Sequence, residues 1–201
     1  FAAGVLVSVS FLHIVPKAIA ISTSAPIFIL SGYLFMPVFN RFITAFVCDR
    51  PATKDYAVGL VPMLGIGLHS FIDGIVYSVT FSISAFTGVL VSIGMVLHEF
   101  PEGVFTYVLL RKGGIKERAA MWAAVFAAAL TTPLGTLASL PIISRIDPPI
   151  LGSLLALSAG ALIYVGASHL LPMAEQQPRR LNLVALSAGV LVALSIIATH
   201  G

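Results

Sequence analysis

The chain is 201 residues long, and 58% of it is hydrophobic against 9% charged. With a mean hydropathy of +1.04 it is too apolar for an ordinary soluble domain, so the class is a polytopic membrane protein. The formal charge of +3 comes with no basic run interleaved with aromatics, which argues against nucleic acid as a partner.

Seven apolar stretches are predicted as helices: Phe1–Pro16, Ala25–Val47, Ala57–Ser82, Ser84–Leu110, Ala119–Ile143, Pro148–Ala174 and Leu181–Thr199. Each is near or above the length that spans about 30 Å at about 1.5 Å per residue. The expected fold is therefore an all-α membrane bundle of seven spans, one domain over residues 1–201. The first stretch has no methionine and is apolar from Phe1 onward, so a segment upstream of it is expected. No short apolar region with a small-residue cleavage site stands apart from the spans, so no signal peptide is expected. Cys48 is the single cysteine and has no internal disulfide partner.

Loop charges set the expected orientation. Arg41, Arg50, Lys54, Arg111, Lys112, Lys116, Arg118, Arg179 and Arg180 fall on one side, with Lys17 and Arg145 on the other. The positive-inside rule places the larger group in the cytoplasm, as expected of a multi-pass protein of the cell membrane.

Chemistry enters in the third and fourth stretches. His69-Ser70-Phe71-Ile72-Asp73-Gly74 and His98-Glu99-Phe100-Pro101-Glu102-Gly103 each lie near the middle of a span. A carboxylate at a helix centre costs about 2.5–3.5 kcal/mol, so Asp73, Glu99 and Glu102 together ask for roughly 7–10 kcal/mol of compensation. Within each motif the His and the acid are four residues apart, on one helix face, where both can reach one cation. A short link between the spans would bring His69, Asp73, His98 and Glu102 together. Imidazole and carboxylate donors without a thiolate suit Zn²⁺ first, with Cd²⁺, Fe²⁺ or Mn²⁺ as further candidates. A purely structural cluster pinning two helices is the rival, but five ionisable groups exceed what one pinning contact needs. Pro101 leaves the Leu97 carbonyl without its usual partner and is expected to kink the helix there. Gly65, Gly67, Gly74, Gly94 and Gly103 are expected to let neighbouring helices close in. Glu99 points about 100° away from His98 around the helix and is expected to tune a weaker neighbouring position with Ser70.

A repeat is visible by eye. Ala3 to Ala18 aligns without gaps to Ala159 to Ala174, with seven of sixteen positions identical, including His13 with His169 and Pro16 with Pro172. The loop charges make the two spans run oppositely, so the repeat is read as inverted, the mark of carriers that work by alternating access.

The paired motifs, Phe11-Leu12-His13-Ile14-Val15-Pro16, Leu130-Thr131-Thr132-Pro133-Leu134-Gly135, and the run from Tyr164 to Pro172 together resemble the ZIP (Zrt/Irt-like protein) family of divalent-metal transporters, in a prokaryotic form. The resemblance covers essentially the whole chain. It implies eight spans in a three-two-three arrangement, the first of them missing here, and zinc carried into the cytoplasm as substrate. It further implies an elevator-like slide of the metal-bearing helices. His69, Ser70 and Asp73 match the first motif, and His98, Glu99 and Glu102 the second. His169 would help receive the ion on the inner side, and His13 would lie on the outer route. Some members carry a carboxylate beside the proline of the sixth span, completing a second metal site; this chain has Thr132 there. The expected partners are divalent metal ions and the bilayer, with a homodimer left open. Two other functions compete: an intramembrane zinc metalloenzyme, suggested by the near-zincin run His98 to Glu102, and a proton or cation channel. In the enzyme motif the second His is replaced by Glu102, and Pro101 disturbs the turn that would align the ligands.

Overall fold

The computed structural model describes all residues except 49, 52, 54, 84, 176–178 and 201; the side chains of 83, 86, 87, 90, 91, 93–98, 169, 173, 174, 179 and 196–200 also fall outside the description. Among the described residues the chain is entirely helical, in seven runs: α1 (Ala2–Ile21), α2 (Ala25–Phe46), α3 (Ala57–Ile83), α4 (Ala85–Lys112), α5 (Glu117–Arg145), α6 (148–175) and α7 (Arg179–His200). Five contain a segment long and apolar enough to cross a membrane: Ala2–Ile21, Ala25–Phe46, Ala57–Ser82, Glu117–Arg145 and Pro148–Ser168. Arg180–Ser195 of α7 is a shorter apolar helix. α4, whose first half lies largely among the side chains outside the description, is not among the five found in the described residues.

Proline shapes three of these helices. A proline ring crowds the carbonyl four residues earlier and has no N–H to offer it. In α1, α5 and α6 the chain widens into π-helical turns, Ser10–Ile14, Phe126–Leu130 and Tyr164–Leu170, that end two or three residues before Pro16, Pro133 and Pro172. The helix thereby absorbs the mismatch and continues, which is why α1 runs on to Ile21 although the sequence suggests an end at Pro16. α4 runs continuously through Pro101.

The contacts group the chain into two compact units, one of Phe1–Pro37 with Pro148–Gly201 and one of Val38–Asp147. In the first unit, α1 crosses α7 at Gly4 and Gly189, and α2 crosses α6 at Gly32 and Gly160. A methyl group at Gly189 would overlap the Phe1 carbonyl and lie 3.1 Å from Val5 N; at Gly32 it would overlap the Leu157 carbonyl and lie 3.2 Å from Ala161 N. Gly4 and Val5 are the positions that the sequence repeat aligns with Gly160 and Ala161, and Phe1 and Leu157 stand two residues before it in the same register. The reciprocal contacts agree as well: Gly4 meets Leu186 O and Val190 N, and Gly160 meets Ile29 O and Tyr33 N. The repeat is thus present in the packing, and it extends to α2 and α7, where the residues themselves show no alignment.

In the second unit α3 lies against both α4 and α5. The turn from α4 to α5 is closed by Gly114, whose φ of 86° favours glycine, with Ile115 N–H bonded to Leu110 O at 3.1 Å and Gly114 N–H to Arg111 O at 3.0 Å. Below it Leu110, Ala120 and Ala124 form a core with Leu60, Met63 and Tyr107. α3 crosses α5 at Gly74 and Gly135 with the same offsets as the other two crossings: a methyl at Gly74 would overlap the Thr132 carbonyl and lie 2.7 Å from Thr136 N, and one at Gly135 would overlap the Phe71 carbonyl. Gly67 and Gly103, expected to be close-approach points, face Ala127 and Ala128 at the ordinary distances of 3.8 and 3.5 Å. Gly74 is a close-approach point as expected, and its counterpart on α5 is Gly135.

Candidate metal site

The hairpins fix the depth at which polar residues meet. From Glu99 to the end of α4 is about 20 Å, and from the start of α5 to Thr132 is about 22 Å, so the short turn between them brings both residues to one level. His69 lies about 21 Å from the end of α3, level with Glu99 by the same count from the start of α4. Three helices therefore converge at mid-length, and the side chains there are polar.

His69, Asp73 and Glu102 are buried, at 3%, 3% and 6% exposure. His69 Nε2 lies 3.4 Å from Asp73 Oδ2 and 3.8 Å from Glu102 Oε1. Both separations exceed a hydrogen bond. They are close to the roughly 3.4 Å between two atoms bound tetrahedrally to one zinc ion at about 2.0–2.2 Å. The two contacts share one imidazole nitrogen, and among the described residues no group of three His, Cys, Asp or Glu side chains forms a ready metal cage. His98 stands on α4 one turn before Glu102, with its side chain outside the described residues. His169 belongs to the π-turn Tyr164–Leu170 of the other unit, and its side chain is likewise outside them.

Ser70 is fully buried, and its hydroxyl has no hydrogen-bond partner among the described residues. A span serine ordinarily bonds back to its own helix, as Ser78 does to Gly74 O at 3.4 Å; Thr106 does the same to Glu102 O at 2.7 Å. Ser70 instead leaves its oxygen available next to His69.

Glu99 is half-buried. Thr132 Oγ1 donates a hydrogen bond to Glu99 Oε1, so one partner of this carboxylate lies on α5. Thr132 was legible only as a missing carboxylate; its hydroxyl as a donor became visible when the α4–α5 hairpin set the level. Around this point the α3–α5 crossing is laced with hydroxyls: Thr136 Oγ1 donates to Gly74 O at 3.0 Å, Ser78 to Thr136 O at 3.2 Å, and Ser139 to Ser78 at 2.6 Å. The Tyr77 hydroxyl donates to Ser92 O at 3.3 Å and lies within electrostatic reach of both Glu99 and Asp73.

The fold and these residues define a multi-pass membrane protein with a buried imidazole–carboxylate group between helices. A family model described as "ZIP Zinc transporter" matches residues 48–197, and the chain belongs to that family. It is 28% identical to the "Zinc transporter ZupT" of Escherichia coli O7:K1 over an alignment of 226 residues, covering 98% of this chain and 80% of that protein. To the "Metal cation symporter ZIP14" of Xenopus tropicalis it is 30% identical over 112 residues, 54% of this chain and 23% of the relative. The human protein of the same name is 34% identical over 59 residues, 29% and 12% of the two chains. The chain thus spans a quarter or less of these ZIP14 relatives. No solved structure gives a significant match.

Proposed function

We propose that this chain carries divalent metal ions, chiefly zinc, across the membrane into the cytoplasm, as a single transporter domain working by alternating access. The observation that carries the reading is the pair of carboxylates, Asp73 and Glu102, set around the buried His69 Nε2 at 3.4 and 3.8 Å. On this reading His98 supplies a second imidazole from α4, Ser70 a neutral oxygen, and Glu99 a neighbouring acceptor. His169 would receive the ion on the inner side. Two imidazoles and two carboxylates leave a bound dication without excess charge, which lets it leave again. Cd²⁺, Fe²⁺ and Mn²⁺ suit the same donors.

The name of ZupT, "Zinc transporter", supports zinc as cargo. Membership of a transporter family weighs against the metalloenzyme reading. The packing repeat in the first unit supports an inverted arrangement, from which the two access states would arise. Positive loop charge would then place Phe1 on the cytoplasmic side and Gly201 outside.

Uptake of a panel of divalent ions by purified protein in liposomes tests this. Zinc uptake above protein-free vesicles is expected, and its absence for every ion would overturn the reading. Cysteines flanking His69, with Cys48 removed, should change in labelling by impermeant thiol reagents between zinc-loaded and zinc-free protein. Identical labelling from both sides in both conditions would favour a fixed channel.

A further inference from the structure

We propose that the turn between α4 and α5 is a docking site for an acidic phospholipid, whose phosphate meets Lys116 and Arg118 and whose acyl chain lies along the exposed face of α5 below them. The surface stands at the end of the hairpin and does not rest on the metal-site reading.

Charge is concentrated at this turn. Arg111, Lys112, Lys116 and Arg118 fall within eight residues, with Glu117 as the one acid among them, and all five are exposed. Among the described residues none of them is in an ion pair. Glu117 is next to both Lys116 and Arg118 in the chain, and adjacent helix residues do not face each other. Asp55, whose backbone carbonyl faces Gly113, is the acid on the neighbouring loop. With both acids included the turn keeps a positive excess. Arg111 is also held in place: its Nη1 donates to Ile115 O at 2.7 Å, which folds the side chain over the turn toward Lys116 rather than out along α4. A guanidinium has five N–H groups, so most of them remain for a phosphate.

Below the charges the face changes character. Trp122 is 65% exposed, and Met121, Val125 and Phe126 are exposed beside it and after it. Arg118 and Trp122 are four residues apart, so they lie on one face, about 6 Å from each other along the axis. That step is close to the depth of a headgroup layer, roughly 5–8 Å on each side of the hydrocarbon. An indole between a charged and an apolar surface marks where the bilayer interface falls. Lys and Arg just outside that interface attract acidic headgroups, by up to about fivefold for each charge. A soluble anion would gain the charge contact alone. A phospholipid gains the apolar face as well, which is why the occupant is a lipid.

Trp122 is the single tryptophan, so its fluorescence reports on this surface alone. The experiment places the full chain in vesicles of phosphatidylcholine and phosphatidylglycerol, with brominated acyl chains on one lipid or the other, and reads the acidic-to-zwitterionic preference from the quenching of Trp122. The wild type should prefer the acidic lipid about tenfold. Lys116→Gln and Arg118→Gln should each lower that ratio about threefold, and the double variant should bring it near one. Arg145→Gln removes the same charge at the far end of α5 and should leave the ratio unchanged. Equal quenching by the two lipids in the wild type would overturn the proposal, as would a double variant that keeps the wild-type ratio. A ratio lowered as much by Arg145→Gln would overturn it too, since the effect would then belong to net charge. A final arm compares inorganic phosphate with chloride at equal ionic strength on both sides of the membrane. The two should weaken the preference alike; its loss in phosphate alone would assign the turn to a soluble anion and overturn the lipid.

Discussion

Three helix crossings in this protein share one backbone solution, and among the described residues only one of them has a buried carboxylate beside it. Near Gly4–Gly189 and Gly32–Gly160 the buried residues are apolar ones such as Leu6, Ala193, Met36 and Ala161 together with two serines, Ser8 and Ser158, and, among the described residues, no charged group. At Gly74–Gly135 the same contacts recur, but the neighbours are Asp73, Thr132, Ser78 and Ser139, all buried. Close approach of helices in a membrane comes from small residues and carries no information about chemistry. Charges and hydroxyls at the third crossing do, because each costs free energy at that depth unless something compensates it. The comparison separates scaffolding from function within one geometric motif.

The largest effect should come from removing the charged members of the polar crossing. Alanine at His69 or Glu102 should take zinc uptake in liposomes down to that of empty vesicles, with protein yield still measurable. Wild-type flux in either variant would show that the buried imidazole–carboxylate group is structural, and the contrast between the crossings would lose its functional meaning.

Next in size is a matched pair of glycine substitutions. Gly74→Ala and Gly32→Ala each push a methyl group into a partner carbonyl, Thr132 O and Leu157 O respectively. Backbone cannot move aside as a side-chain tip can, so each should cost about 1–3 kcal/mol, visible as a drop in thermal midpoint in detergent. The functional consequence should differ. Gly74→Ala displaces the backbone of Thr132 and should shift metal affinity and ion preference several-fold, whereas Gly32→Ala should lower stability and leave the preference alone. Equal changes in preference from both variants would make the polar crossing no different from the apolar ones.

A subtler separation concerns the two carboxylates of α4. Glu99→Gln keeps an acceptor for the Thr132 hydroxyl while removing the charge, so it should alter uptake rate or metal preference more than the number of ions bound at equilibrium. Loss of all zinc binding in Glu99→Gln would place Glu99 among the direct ligands.

How far the sequence carries depends on which signal a feature leaves. Hydropathy marks helices plainly, and the His–acid spacing marks one face of α3, because a helix turn is the same wherever it occurs. The convergence of His69 with Asp73 and Glu102 follows from that spacing and a short connection. Thr132 escaped because partners 33 positions apart meet only after two hairpin levels are counted, and a threonine in a span ordinarily bonds to its own helix. Gly135 escaped for a related reason: a glycine shows that helices can approach, not which pair will. Ser70 was expected to assist Glu99; the hydroxyl seen to donate to Glu99 is that of Thr132. Helix ends at Pro16 were misjudged because a π-turn lets the chain pass a proline that an α-helical register would not accommodate.

The smallest effect tests what the hydroxyls at the polar crossing contribute apart from any ion. Ser139 donates to Ser78 at 2.6 Å, and Ser78 in turn donates to Thr136 O at 3.2 Å, so the three residues tie α3 to α5 one to two turns from Asp73. Such interhelical bonds in a membrane are worth about 0.6 kcal/mol each, since a span left unpacked finds other partners for the same groups. Ser139→Ala removes the donor and leaves the Ser78 hydroxyl with the Thr136 and Gly74 carbonyls to bond. It should therefore lower the thermal midpoint by a degree or two and leave zinc affinity unchanged. A drop comparable to Gly74→Ala would mean that the hydroxyl chain, rather than the glycine contact, holds this crossing together, and the likeness to the two apolar crossings would be one of geometry alone.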